Sequence, residues 1–164
     1  ALLAIGRKET IEGMGARLGQ AIRIAMHGGD ESEAWLPAVV SALYWRVRGD
    51  SQKAVACLRL TLAHAPQEMR DVALVSLANV CHQAGLLHSA LIAAGAALDV
   101  SSSLVATHFT IANIYASIGD YGRALEFYYS SIALQSSSFD HARQRIRAIY
   151  CYHEGEKYNL HHLV

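Results

Sequence analysis

The side chains with the most recognisable chemistry are a cysteine and three histidines near the end of the chain. They are Cys151, His153, His161 and His162. Thiolate sulfur and imidazole nitrogen are ligands of zinc, but a zinc site needs a defined spacing and a scaffold that fixes its donors. The spacing here matches no zinc template. We therefore predict no bound metal and no cofactor, and interpret these histidines as solvated or packed side chains.

Groups for nucleophilic or acid–base catalysis do not converge in the sequence. No serine, histidine and aspartate form a recognisable set. The acidic residues fall mainly at turns and helix starts, as in Glu9, Glu12, Asp50, Asp71 and Asp120. A glycine-rich run at residues 13–19 lies inside a helical stripe, whereas a phosphate-binding loop must follow a strand and open a helix. We therefore predict that the chain is not an enzyme and has no small-molecule substrate.

Four polar side chains could instead contact a partner. Asn79 and Asn113 lie 34 residues apart, and a side-chain amide can pair with both the donor and the acceptor of a peptide backbone. Arg143 and Arg147 could hold an acidic group, because a guanidinium binds a carboxylate through two hydrogen bonds. The alternative for each pair is a solvated position on a helix surface.

Composition narrows the class of partner. Lys and Arg total 14, Asp and Glu total 14, and the resulting formal charge of zero provides no field that would attract nucleic acid. Hydrophobic residues make up 52% and charged residues only 17%, so part of the surface is expected to meet a protein or peptide partner. No apolar run reaches the length of about 18 residues that a spanning helix needs, so we expect no direct membrane insertion.

The cysteines bear on the compartment. Cys57, Cys81 and Cys151 are an odd number at wide spacing, which favours a reducing compartment over a disulfide framework. We therefore expect a cytoplasmic chain, with association to the cytoskeleton or a membrane left open. The chain starts at Ala1 without a methionine, which is typical of an excerpt from a longer protein.

A threefold repeat defines the elements that must position these side chains. Each copy has an apolar helical stretch, a glycine, an alanine five residues later and a second apolar stretch. The anchors are Gly49/Ala54, Gly85/Ala90 and Gly119/Ala124, with glycine spacings of 36 and 34 residues. A period of about 34 residues with this layout indicates a helix-turn-helix solenoid. We predict an all-α fold, an α-α superhelix of three helical hairpins with flanking helices.

The same pattern divides the chain into segments. We predict an N-terminal flanking helix region at 1–34, three repeats at 35–70, 71–104 and 105–138, a capping helix at 139–153 and an irregular tail at 154–164. The flanking region carries an amphipathic stripe between Thr10 and His27. Gly15 and Gly19 lie one turn apart on it and predict a close helix contact there, since each costs about 1 kcal/mol of helix propensity.

The layout of residues 35–138 resembles the tetratricopeptide repeat family. That family pairs two antiparallel helices per unit, with small residues at the helix contact, at the turn and early in the second helix. The contact residues here would be Ala42, Ala78 and Ala112, beside the turn glycines and second-helix alanines already given. The second copy departs from the family pattern at Cys81 and Ala94. The resemblance implies a non-catalytic scaffold for protein–protein interaction.

A closer resemblance concerns one member of that family. Four sequence segments are similar to its carboxy-terminal repeats, namely YWRVRGDSQKAVACLRLTLAHAP, VALVSLAN, HFTIANIY and ALEFYYSSIALQ. The role assigned to that member is in actin polymerisation and primary ciliogenesis. The resemblance therefore implies a scaffold of the actin cytoskeleton that takes part in cilium biogenesis.

Stacked hairpins would line a concave face with their first helices, and helical spacing then gives the inward positions. The predicted partner-binding groove consists of Val39, Leu43, Val75, Asn79, Phe109, Asn113, Arg143 and Arg147. This groove would grade from apolar, through the asparagine pair, to basic, and so favour a segment that is apolar and then acidic.

Chaperone-binding members of the family hold a terminal carboxylate with lysines, an arginine and asparagines. Val39, Leu43, Ala106 and Thr110 stand at several of those places, so we do not expect a chaperone-tail adaptor.

The alternative function is structural. In it the chain is an end segment of a longer solenoid that packs against its own chain, with the helix between Thr10 and His27 as one candidate to fill the groove.

Overall fold

The computed structural model describes residues 10–28, 33–135 and 139–160, with side chains described as far as Tyr152. All regular structure in these residues is helical. The helices are α1 Ile11–His27, α2 Trp35–Val47, α3 Ser51–His64, α4 Asp71–Gln83, α5 Leu87–Val100, α6 Val105–Ile118, α7 Tyr121–Leu134 and α8 Asp140–Leu160. A short 3-10 turn, Gln67–Met69, precedes α4. The predicted all-α fold class is confirmed.

Helices α2 to α7 form three antiparallel hairpins, and each first helix ends in the same way. Gly49, Gly85 and Gly119 have φ values of +76°, +75° and +90°, a left-handed conformation that glycine adopts without the steric cost of a Cβ atom. The amide after each glycine donates to a carbonyl five residues earlier, as in Asp120 to Tyr115 at 3.0 Å. The repeated glycine is therefore required by the backbone of the turn.

The helices of each hairpin pack closely because alanines stand at their contact. Ala42, Ala78 and Ala112 in the first helices have no exposed surface, and neither do Ala54, Ala90 and Ala124 in the second helices. A methyl side chain lets two helix backbones approach at the short end of the usual interaxial distances of about 8–10 Å. The core is then completed between hairpins by larger side chains such as Leu58, Ile111, Ile114 and Tyr128.

Helix α8 covers the last hairpin. Ala142, Ile146 and Ile149 are buried and share a cluster with Tyr128, as expected for a capping helix that removes an apolar face from water. The expected end at residue 153 is wrong, because α8 continues to Leu160. A period of apolar residues reports the packing of one helix face and is not itself required for the backbone to stay helical. Residues 161–164 of the predicted tail lie outside the described residues.

Helix α1 packs on the outer side of the first hairpin. A Cβ atom at Gly15 would lie 2.6 Å from the hydroxyl oxygen of Tyr44, so the close contact expected on this helix exists there. At Gly19 a Cβ atom would meet nothing nearer than Arg23, at 3.7 Å. No residue of α1 is buried, and its position beside Tyr44 rules out the suggestion that this helix fills the concave groove.

Candidate binding groove

A concave groove runs across the first helices of the hairpins. It is a cavity of about 630 Å³, within the size range of small-molecule and peptide sites. Late residues of α2 form one end, the middle of α4 and the first half of α6 form its floor, and Gln135 and Phe139 form the other end. The cavity therefore crosses the helices obliquely.

The structure brings together five of the eight predicted groove residues. Leu43, Val75, Asn79, Phe109 and Asn113 all line the cavity. Each lies on a first helix, at positions that repeat with the period of the hairpins. Side chains that are separated by more than thirty residues in the chain thus share one surface.

The other three predicted residues lie elsewhere. Val39 packs against the core of the first hairpin. Arg143 and Arg147 are exposed on α8 and do not contribute to the cavity lining. Another arginine of α8, Arg145, lines a separate cavity of about 550 Å³ that includes Tyr128.

Arg46 and Phe139 are among the lining residues that the sequence prediction missed. Arg46 follows Leu43 by three residues on α2, so helical spacing carried one step further would have placed it on the same face. Phe139 stands just before α8, and its position depends on how the chain returns after α7. No periodic signal indicates that return.

Asn79 joins two helices through its amide nitrogen. Its Nδ2 donates to the carbonyl oxygen of Val75 at 2.9 Å and to Oγ1 of Thr110 on α6 at 3.2 Å. These two bonds use both amide hydrogens. Among the described residues its Oδ1 takes part in no hydrogen bond, so the acceptor half of this amide is available at the cavity.

Asn113 is held through its amide oxygen instead of its amide nitrogen. Its Oδ1 accepts a hydrogen bond of 2.7 Å from the hydroxyl of Tyr128, a side chain that is only 1% exposed. Burial raises the pKa of the Tyr128 phenol, which keeps the donor protonated. The amide nitrogen of Asn113 makes no hydrogen bond within the described part of the chain, so here the donor half is available.

Of the described residues that line the cavity, Arg46 alone is charged. Its Nη1 donates to Oγ of Ser76 on α4 at 2.7 Å. Its Nε is buried and has no hydrogen-bond partner among the described residues. Partial burial lowers the pKa of this guanidinium, because a charged group loses hydration there.

The opposite end of the cavity is aromatic. The ring of Phe109 lies 5.0 Å from that of Phe139 and 5.7 Å from that of Tyr128, centroid to centroid. Elsewhere in the lining, Leu43 and Val72 leave 42% and 46% of their surfaces exposed. The expected gradient is therefore reversed within this cavity, since the cation stands at the α2 end and the aromatic rings at the α8 end.

For the terminal cysteine and histidines the sequence predicts no metal site, and only part of this cluster lies within the described residues. Cys151 is exposed on α8, the side chain of His153 is not described, and His161 and His162 lie outside the described residues. In the ranges that the structure covers, no three or more His, Cys, Asp or Glu residues are arranged to hold a metal ion. None of the described helices is both long and apolar enough to cross a bilayer.

No family model matches the chain. It is 35% identical over 145 residues to tetratricopeptide repeat protein 17 of Homo sapiens and of Mus musculus, and 35% identical over 144 residues to that of Danio rerio. The match covers 88% of this chain in each case. The chain spans only 12% of the length of the human and mouse relatives.

Solved structures share the fold at low identity. The crystal structure of MamA superposes with a TM-score of 0.71 at 16% identity, covering 89% of this chain and 80% of that one. The first tetratricopeptide repeat domain of Spaghetti (RPAP3), bound to the HSP90 peptide SRMEEVD, gives a TM-score of 0.66 at 14% identity, covering 72% and 94%. The predicted resemblance to tetratricopeptide repeats is confirmed by these matches.

Proposed function

Since the chain belongs to the tetratricopeptide repeat family and is related to one segment of tetratricopeptide repeat protein 17, we propose that it is a non-catalytic scaffold. Its concave groove binds a segment of a partner protein. The observation that supports this proposal most strongly is the complementary state of Asn79 and Asn113, one with a free acceptor and the other with a free donor.

The two amides suit an extended peptide. A peptide backbone offers an N–H donor and a C=O acceptor in every residue, and an unpaired one costs free energy when it leaves water. The Oδ1 of Asn79 would accept a hydrogen bond from a peptide N–H, and the Nδ2 of Asn113 would donate one to a peptide carbonyl. The bonds to Val75, Thr110 and Tyr128 hold both amides in place, which lowers the entropic cost of binding.

The exposed apolar side chains of the groove supply the rest of the interaction. Leu43, Val72 and Phe109 line it together with few charged groups, so apolar side chains of the segment would be buried against them. Burial contributes about 25 cal/mol per Å² of apolar surface. The peptide-bound neighbour RPAP3 supports a segment as the ligand, whereas Val39 and Leu43 again argue against a chaperone tail.

The experiment uses a matched pair of groove and surface variants. Val72→Arg places a charge in the cavity, while Val47→Arg places one on a side chain that is 88% exposed and outside the lining. We expect a displayed library of random peptides to be enriched by the wild-type chain and by Val47→Arg, and not by Val72→Arg. Equal enrichment by all three, or by none, would refute the proposed groove.

The cellular role follows from the resemblance to the longer protein. We propose that the scaffold acts in the cytoplasm, in organisation of the actin cytoskeleton and in ciliogenesis. The partner is a protein, with no role for nucleic acid, membrane insertion or a small-molecule substrate. Replacing the parent protein by a Val72→Arg form in ciliated cells should reduce the fraction of ciliated cells, and the Val47→Arg form should restore it. Full rescue by both forms would show that the groove is not needed for ciliogenesis.

A structural role is the second candidate, favoured by the apolar surface of α1. Ile11, Met14 and Ile24 are 58%, 46% and 63% exposed, and Ile24 lines a shallow cavity with Leu36 of α2. Another part of the parent chain would cover this surface. Hydrogen exchange of α1 in the parent protein and in this chain alone would test it, because a covered helix exchanges more slowly. Equal exchange rates would exclude this candidate.

A further inference from the structure

We infer that the partner segment carries an acidic side chain that pairs with Arg46, two to four residues away from an apolar side chain seated beside Phe109. This inference rests on the proposed function and names the chemistry of the segment.

Arg46 presents a charge that the described part of the chain does not neutralise. None of the described residues that line the cavity is an aspartate or a glutamate. The guanidinium has one hydrogen bond, to the hydroxyl of Ser76, and its buried Nε has none. A carboxylate could accept hydrogen bonds from two guanidinium nitrogens at once. An incoming acidic group would therefore neutralise the charge of Arg46.

The order of groups along the cavity fixes the order in the segment. The guanidinium of Arg46 reaches Ser76 on α4, and Phe109 lies on α6, the next first helix. Packed helices are about 8–10 Å apart, and an extended chain rises about 3.3 Å per residue. The acidic and apolar side chains should therefore be about three residues apart. The asparagine pair would bind the backbone between them.

The test uses two displayed libraries of peptides of about eight residues, which span about 26 Å when extended. The libraries are identical in apolar and small residues but have either glutamate or glutamine fixed near the centre. Synthetic peptides from the enriched pools are titrated against the wild-type chain, Arg46→Gln and Arg143→Gln. Arg143 is one of the two arginines predicted for the groove, and it lies outside the cavity lining.

We expect glutamate peptides to bind the wild-type chain about tenfold more tightly than their glutamine counterparts. The preference should disappear in Arg46→Gln and persist in Arg143→Gln. Ser76→Ala removes the hydrogen bond of Arg46 but leaves its charge, so the preference should persist there as well. The melting temperature of each variant shows whether it is folded.

Three outcomes would overturn the inference, and they separate it from the proposed function. A glutamate preference that survives in Arg46→Gln, or that is lost in Arg143→Gln, moves the acidic contact away from Arg46. Equal binding of both peptide classes, still abolished by Val72→Arg, leaves the groove proposal standing and rejects the acidic contact. Absence of binding by either class to the folded wild-type chain rejects both.

Discussion

Replacing Tyr128 by phenylalanine removes one hydroxyl from the centre of the last hairpin. That hydroxyl donates to Oδ1 of Asn113 at 2.7 Å, and the tyrosine is almost fully buried. A hydrogen bond of this kind contributes about 0.5–1.5 kcal/mol to stability, and an acceptor left unpaired in the interior costs about 1–3 kcal/mol. Because Asn113 lines an open cavity, water can reach its freed Oδ1. We therefore expect a loss of about 1 kcal/mol.

The assay is a double-mutant cycle of urea unfolding with Tyr128→Phe, Asn113→Ala and the double variant. If the bond acts as described, the two single losses will not add, and the coupling energy will be about 1 kcal/mol. The single change should also lower the melting temperature by about 2–4 °C. A coupling energy near zero would refute the claim that Tyr128 holds the Asn113 amide.

The pH dependence of stability gives a second check on the same residue. Burial raises the folded-state pKa of Tyr128, so the folded chain holds this proton more tightly than the unfolded chain does. The resulting stability is present below the unfolded value near 10 and is lost as the pH rises through the folded value. The wild-type chain should therefore lose more stability than Tyr128→Phe above about pH 10. Parallel pH profiles would contradict this.

Three further changes test the fold that carries the groove. Leu86→Asp should stabilise the chain by about 0.5–2 kcal/mol in chemical denaturation. Leu86 precedes α5 at its N-cap and makes no side-chain cap, whereas Asp50 caps the equivalent helix. An unchanged free energy of unfolding would show that the missing cap does not limit the stability of the second hairpin. Gly119→Ala should cost about 1 kcal/mol in the same assay, since its φ is +90°, and an unchanged midpoint would argue against the left-handed turn. Gly15→Leu should loosen α1 against Tyr44, seen as faster hydrogen exchange in α1 alone; unaltered exchange would place α1 differently.

Local chemistry explains why the hairpins could be predicted from the sequence. The three glycines and six alanines recur because each turn needs a left-handed residue and each helix contact needs a small one. Both requirements act within one repeat and leave a periodic signal. The same signal placed Asn79, Asn113 and Phe109 on one face, because position within a helix determines the direction of a side chain.

The remaining parts of the groove depend on how separate helices are oriented. The crossing of α8 over the last hairpin buries Ala142 and Ile146 and leaves Arg143 outside the cavity, although its spacing on α8 suited a groove position. No further repeat packs against a capping helix to set its rotation about its own axis. The period of the repeats therefore could not show which face of α8 meets the groove. The length of α8 was misjudged because residues after 153 show no apolar period, although the helix continues to Leu160.

By itself, the sequence determined the class of fold, the three hairpins, their glycine turns and the face that carries the two asparagines, since these follow from contacts within one repeat unit. The tertiary structure alone decided which half of each amide is free, that Arg46 reaches Ser76, and where α1 and α8 lie. Each of those features depends on contacts between residues of different repeats or of flanking helices. The angle and rotation between packed helices are set by the sum of many side-chain contacts, which no short-range sequence pattern records.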